Sequence, residues 1–288
     1  MERMIVKNAW KTGSGIRLAE QHKIGESEFK RIQALMYDHV GIVLQDNKRA
    51  LVEARVNKRL RALGISSYPD YMDYLAKTGK GSELVHLTDA ISTNVTDFFR
   101  ESDHFEFAAS RVEEWLAAGR TRLRFWSAAC SSGEEPYSLA MTLRDIKTSS
   151  RADFGILATD ISTRVLNIAA RGRYEDQIAA SVPTALAERY FRSVEPGTVE
   201  VVPELKQLVM FRRMNLNRTP YPIQGIFDMI FCRNVMIYFD NSLRQRIVEE
   251  VHRLLQPDGY LIIGHAETLI GVDGRFRSVQ PSVYRKVS

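Results

Sequence analysis

SAACSSGEEPYS, residues 127–138, decides the fold. It follows the apolar run Leu123, Phe125 and Trp126 and leads into Tyr137, Leu139, Ala140, Met141 and Leu143 at helical spacing. A strand, a turn of small residues and a helix start, in that order, are the unit of an open α/β sheet, which holds ligands at the carboxyl ends of its strands. Ser127, Ala128, Ala129, Ser131, Ser132 and Gly133 keep the turn small. Backbone can then approach a ligand closely, and tight strand–helix packing needs the same thing. Pro136 suits the first turn of the following helix, whose free N–H groups favour an anion. The Gly-x-Gly-x-x-Gly fingerprint of dinucleotide folds is absent, which counts against a nicotinamide-dependent dehydrogenase.

Outward from this unit, LRFWSA (123–128), FGILATD (154–160), FDMIFC (227–232) and GYLIIGH (259–265) read as buried strands. Helical patterns lie at 135–147, 162–170 and 241–255, the last followed by a Pro257-Asp258-Gly259 turn. FRSVQPSVYRKV at the end reads as two short strands joined by a turn. The expected class is α/β, a doubly wound, mostly parallel Rossmann-like sheet. Between Arg171 and Arg213 the alternation is interrupted by β-like runs around Pro196-Gly197, read as a small β-insert at about 171–213. Before residue 91 the chain reads as all-helical. Phe29, Ile32, Leu35 and Met36 share a face ending at Gly41, a second helix runs from Asn47 to Leu63 before Gly64, and shorter patterns follow at Tyr71–Leu75 and Leu84–Ile91. The division is a loosely ordered lead-in at 1–24, a helical domain at 25–90 and an α/β domain at 91–288.

With 44% hydrophobic and 26% charged residues, the composition is that of a soluble globular protein. No apolar run approaches the roughly 18 residues of a membrane span, and no signal sequence opens the chain, so a cytoplasmic location is expected. Cys130 and Cys232 end separate buried strands and read as small packed residues, neither a disulfide nor half of a zinc site. The six histidines show no metal-ligand spacing, so no metal is expected. A net charge of +5 and a pI near 9.2 favour an acidic partner: nucleic acid, anionic membrane or an acidic protein surface.

Five blocks, TNVTDFFR (93–100), SSGEEPYS (131–138), ATDIS (158–162), Asn215-Leu216 and FCRNVMIYF (231–239), occur in the order found in the CheR family of chemotaxis receptor methyltransferases, which this chain resembles from residue 27 to its end. The resemblance implies a methyltransferase domain behind a helical receptor-docking domain. Its reaction would be methyl transfer from S-adenosylmethionine to glutamate carboxylates of methyl-accepting receptors, leaving S-adenosylhomocysteine. By position it implies cofactor contacts from Asn94, Thr96, Arg100, Glu135, Asp160, Asn215, Leu216, Arg233 and Asn234, with Arg100 and Tyr238 beside the reacting methyl.

The side chains suit such roles. On a helix beginning near Thr96, Thr96 and Arg100 share a face, and Arg100 can grip a carboxylate. Asp160 ends a strand, where it can accept from ribose hydroxyls or cap the next helix, although Ser162 is better placed for capping. Asn215 and Asn234 each donate and accept. Tyr238 lies in an aromatic-apolar run that also reads as core. An acceptor glutamate, with a pKa of about 4.3, is ionised at neutral pH, so no general base is required.

In NKRALVEARVNKRLRAL (47–63), Lys48, Arg55 and Arg59 form a stripe beside the apolar Val52, Val56, Leu60 and Leu63. Such a stripe is a solvated face or a dock for an acidic helix; the resemblance favours receptor docking. FRSVEPGTVEVV (191–202) lacks the Gly-x-Gly of family members that tether to a receptor's C-terminal peptide, so tether-independent action is expected. Two alternatives stand beside this reading. An RNA methyltransferase would share the cofactor fold, but a clustered basic-aromatic patch is missing. A degenerate, non-catalytic receptor-binding scaffold would not be expected to keep Asn94, Arg100, Asp160, Arg233, Asn234 and Tyr238. A monomer without nucleic-acid or membrane-inserting contacts is the expected state.

Overall fold

The computed structural model describes residues 23–78, 81–147, 152–269 and 274–287. Most of the expected lead-in at 1–24 lies outside the described residues. Four helices come first: α1 (Glu26–Val40), α2 (Arg49–Leu63), α3 (Tyr68–Thr78) and α4 (Ser82–Ile91). The 3.6-residue spacing puts Phe29, Ile32, Met36 and Val40 of α1 against Val52, Val56 and Leu60 of α2, closed by Tyr71, Leu75, Leu84 and Leu87. Gly41 ends α1 at φ 77°, and a Cβ there would meet Leu243 Cδ2 at 2.2 Å, so only glycine lets this helix end lie so close to the second domain.

The α/β domain begins with α5 (Asp103–Ala117), then β1 (Arg122–Ser127), α6 (Glu134–Asp145), β2 (Asp153–Asp160), α7 (Thr163–Arg171), β3 (Arg173–Glu175), α8 (Asp176–Ala179), α9 (Thr184–Tyr190), β4 (Phe191–Glu195), β5 (Thr198–Val201), α10 (Pro203–Lys206), β6 (Val209–Arg213), β7 (Phe227–Phe231), α11 (Asn241–Leu254), β8 (Leu255–Ile262), β9 (Phe276–Gln280) and β10 (Val283–Lys286). The main sheet has the order β6-β2-β1-β7-β8-β10-β9, parallel through β8, with β10 antiparallel to both its neighbours. Strand direction of build reverses between β1 and β7, so a crevice opens at their carboxyl ends. Successive residues of β1 face opposite layers. Phe125 packs with Leu139, Leu143 and Ile156 under α5 and α6, and Trp126 packs with Ile247 and Val251 of α11.

Two expectations are corrected. β6 pairs in parallel with β2 in the main sheet, so the β-insert is the three-stranded β3-β5-β4 sheet and closes before β6, short of residue 213. The helix expected from Thr96 begins instead at Asp103. Residues 93–97 have no regular structure, and Phe99 and Glu101 adopt left-handed φ values of 53° and 54°, which no helix continues through.

Candidate active site

The crevice is a cleft of about 330 Å³ at the carboxyl ends of β1, β2 and β7, walled on one side by the helical domain's Val40–Gln45 segment. All ten residues singled out for cofactor or catalysis line it: Asn94, Thr96, Arg100, Glu135, Asp160, Asn215, Leu216, Arg233, Asn234 and Tyr238. Lys48 is at its edge.

The turn after β1 is built as a receptor for polar groups. Ser131, at φ 47°, gives its backbone N–H to Asp160 Oδ2 at 2.9 Å and its hydroxyl to the Asn94 carbonyl at 3.0 Å. Asp160 Oδ1 accepts from the Ser162 N–H at 2.9 Å, and Ser162 Oγ caps α7, as its position promised. Backbone donors thus take part of the acceptor capacity of Asp160, and its carboxylate keeps lone pairs for a hydroxyl donor. Burial pushes the Asp160 carboxyl up, against backbone donation from Ser162, Ser131 and Ile161.

At the centre, Arg233 is nearly inaccessible at 5% exposure. Its Nη1 donates to Glu135 Oε2 at 2.9 Å, and its Nη2 donates to Glu101 Oε2 at 3.0 Å and to the Arg100 carbonyl. Glu135 Oε1 accepts from Ser127 Oγ at 2.7 Å. Asn234 Nδ2 donates to Glu101 Oε1 at 3.2 Å. Burial tends to raise Glu101, but hydrogen bonding and charge from Arg233, with Asn234, hold its carboxyl below the usual range. Below them lies Glu267, which accepts N–H groups of Asn234, Met236 and Gly264 at 2.7–2.8 Å. Burial raises its carboxyl against these donors. Gly264 leaves no room for a side chain in this packing, because a Cβ would stand 2.4 Å from Asn234 Nδ2 and 3.0 Å from its backbone N. Phe99, Glu101, Ser131 and Asn234, all non-glycine with positive φ, concentrate backbone strain around the cleft.

Glu101 and Glu267 are supporting positions that the sequence did not signal. A lone glutamate carries no spacing signal, and only the fold brings these two against Arg233 and Asn234 of the cleft wall. Asn215 is differently used than expected. Its Nδ2 donates to the His39 carbonyl at 2.7 Å and its Oδ1 accepts from Asn217 N–H, so the side chain ties α1 to the α/β domain. Tyr238 lies on a 3₁₀ turn, Met236–Tyr238, and its carbonyl accepts from Val43 N–H at 2.9 Å. Arg100 Nη1 donates to the Val95 carbonyl at 3.0 Å, leaving the rest of its guanidinium for a ligand. Asn94 Nδ2 is buried without a hydrogen-bond partner in the protein. A ligand offering hydroxyls to Asp160 and an acceptor to Asn94 fits these groups, and S-adenosylmethionine carries both.

Of the α2 stripe, Arg59 forks onto Glu83 (Nε to Oε1 3.1 Å, Nη2 to Oε2 2.6 Å) and Arg55 reaches the Ile91 and Ser92 carbonyls. Both are engaged within the domain. No helix among the described residues is long and apolar enough to cross a membrane.

Residues 27–92 match the all-alpha domain of CheR methyltransferases, and residues 94–285 match their SAM binding domain. The chain is 38% identical over 270 residues to the chemotaxis protein methyltransferase of Borreliella burgdorferi, covering 91% of this chain and 95% of that one. It is 38% identical over 272 residues to the chemotaxis protein methyltransferase of Escherichia coli, covering 93% and 94%. It is 40% identical over 260 residues to chemotaxis protein methyltransferase 2 of Pseudomonas aeruginosa, covering 89% and 92%.

Proposed function

We propose a reaction for this chain on one premise: it belongs to the CheR methyltransferase family, both of whose domains it carries in order. It methylates chemotaxis receptors with S-adenosylmethionine as methyl donor, and the acceptors are glutamate side-chain carboxylates, which become methyl esters. The observation that carries the site assignment is the convergence of all ten residues on one cleft at the sheet's switch point.

Bound there, S-adenosylmethionine supplies a sulfonium methyl already activated for transfer. Asp160 takes the ribose hydroxyls. Asn94 and Thr96 close over the ligand from the 93–97 segment. Glu135, held by Arg233, and Asn234, held by Glu101 and Glu267, face its amino-acid end, and the chain at Asn215-Leu216 lines the far end. The acceptor carboxylate arrives ionised, so the protein need only position it. Arg100 supplies charge-assisted donors and Tyr238 one hydroxyl; two such contacts orient the carboxylate without burying it in a strongly polar site that would over-stabilise its charge.

The mouth of the cleft carries Val43, Leu51, Val95 and Ile237, apolar and exposed, beside Lys48. That rim suits an amphipathic receptor helix better than RNA, whose backbone asks for arginine, lysine and aromatic side chains. Lys48 and Arg55 add positive charge on the same domain and steer an acidic surface, whereas Arg59, paired with Glu83, shapes that face. β4 and β5 join through the tight Pro196-Gly197 turn, consistent with docking that does not use a receptor tail. We place the protein in the cytoplasm, as a monomer, acting on receptor cytoplasmic domains and not on nucleic acid.

Calorimetric titration with S-adenosylmethionine and S-adenosylhomocysteine, in wild type and Asp160→Ala, tests the cofactor site. Base-labile methyl incorporation into a receptor cytoplasmic fragment tests the reaction. Binding and transfer, both lost in Asp160→Ala and Arg100→Ala respectively, are expected; absence of binding to the wild type would refute the assignment.

A further inference from the structure

Two histidines far apart in sequence meet in space. His104, in the first turn of α5, and His265, after β8, bring their ring centroids to 4.8 Å. Glu101 joins them, and one ligand atom of each residue lies within 4.8 Å of the others. His104 Nδ1 stands 3.4 Å from Glu101 Oε2. His265 Nε2 stands 3.1 Å from Asp103 Oδ2 on the solvent side. Two of these separations already match the roughly 3.3 Å between ligands around a tetrahedral ion with bonds near 2.05 Å.

A second observation separates this group from an ordinary surface cluster. His104 is fully buried, and neither ring nitrogen has a hydrogen-bond partner. A buried imidazole without partners is costly, whereas one whose lone pair faces a second imidazole and a carboxylate is a ready ligand. Two imidazoles with one or two carboxylates suit zinc and its neighbours, not magnesium or calcium, which prefer all-oxygen shells. The two carboxylates offset the charge of a divalent ion beside Arg233.

We propose that Glu101, His104 and His265, with Asp103 as fourth ligand, form a site for a divalent transition-metal ion, and that filling it weakens cofactor binding. The second half rests on the cofactor reading above. Glu101 is the shared element. It now accepts from Arg233 Nη2 and Asn234 Nδ2, and the 4.8 Å spread must close for an ion to be held by all three residues. Closing it draws the carboxylate from Arg233 and Asn234, and so loosens Asn234, and Glu135 through Arg233, the two groups that face the methionine end. Because binding linkage is reciprocal, the cofactor must weaken the metal by the same factor.

Full-length protein stripped with chelator is titrated with zinc chloride alone, in wild type and in His265→Gln, whose half-exposed ring is removed without disturbing the core. One ion per chain is expected in wild type, with affinity at least ~10-fold lower in His265→Gln. Equal affinity in the two proteins, or no stoichiometric binding to wild type, overturns the site. S-adenosylhomocysteine is then titrated with and without saturating zinc. Zinc should weaken it at least ~5-fold in wild type and leave His265→Gln unchanged at the same zinc concentration. Unchanged affinity in zinc-loaded wild type overturns the coupling. Failure of the stripped wild type to bind S-adenosylhomocysteine would instead refute the cofactor reading, and the zinc titration would still decide the metal site.

Discussion

Replacing Arg233 with methionine is the sharpest probe of the cleft's internal support. The side chain is buried, and it neutralises two carboxylates, Glu101 and Glu135, that are themselves only 14% and 12% exposed. Met keeps much of the volume and removes the charge, so both glutamates lose their cation while remaining out of water. Breaking a buried pair from one side costs about 3–5 kcal/mol. At roughly 2–4 °C per kcal/mol for a domain of this size, Tm without ligand should fall on the order of 10 °C. The pH dependence gives an independent check. In the wild type, Arg233 outweighs burial and Glu101 is depressed, so its pairing stabilises the fold above the unfolded carboxyl pKa and is lost only as acid protonates it. Without Arg233, burial, the largest influence on Glu101, is opposed only by the Asn234 hydrogen bond and the charge of His265, and the Glu101 pKa rises. A raised carboxyl binds more protons folded than unfolded, so the variant's stability falls as pH climbs past the ordinary carboxylate range. The deficit should therefore be largest at pH 8 and smallest near pH 5, read by thermal melts at both. A Tm loss below about 3 °C at pH 8, or an equal deficit at both pH values, would refute this account. Glu101→Gln in the Arg233→Met background should recover part of the loss, as coupled sites do.

Other consequences follow from single contacts. Asn94→Ala removes a buried donor that has no protein partner; S-adenosylhomocysteine affinity should drop about 10- to 100-fold by calorimetry, with little change in Tm. Gly264→Ala places a Cβ 2.4 Å from Asn234 Nδ2. Overpacking of about 1–3 kcal/mol and weaker cofactor binding should appear together in melts and titrations. Arg59→Ala strands Glu83, which is buried at 2% exposure, so its loss of receptor methylation should come with a fall in stability. Lys48→Ala should raise the KM for receptor with kcat and Tm unchanged, an effect that shrinks with added salt. Burial pushes Glu134 up to about 7, so the wild type should lose stability as pH rises from about 4.5 to 7, and Glu134→Gln should flatten that slope in urea melts across the same window.

The fold was legible where hydrophobic period and breaker residues agree. β1, α6, β2 and α11 lie where Leu123–Trp126, the Pro136 start, Phe154–Asp160 and Leu243–Leu254 place them. The reading failed where local chemistry was overridden. Thr96 and Arg100 are spaced as helical neighbours, but the left-handed Phe99 and Glu101 turn the chain between them, and α5 starts where Asp103 and Glu106 supply a first-turn acidic pair. β6 was assigned to the insert because its apolar run adjoins β5 in sequence; its pairing partner, β2, lies fifty residues earlier, and strand pairing leaves no mark in a single chain.

The same limit explains the site. The residues that line the cleft are carried on short motifs at strand ends and were named from them. The residues that hold them sit elsewhere and have no motif. Glu267 fixes Asn234 from across β8, and Asn215 ties the cleft to α1 through His39. Tyr238 is in turn fixed by Val43 N–H, so the hydroxyl assigned to the acceptor hangs from a peptide bond with the helical domain. A receptor helix pressing on Val43 and Leu51 therefore presses on the segment that positions Tyr238. If the receptor docks on the α2 face as proposed, docking and alignment of the carboxylate become one mechanical event, because Val40–Gln45, which walls the cleft, also carries the exposed Val43 of that face.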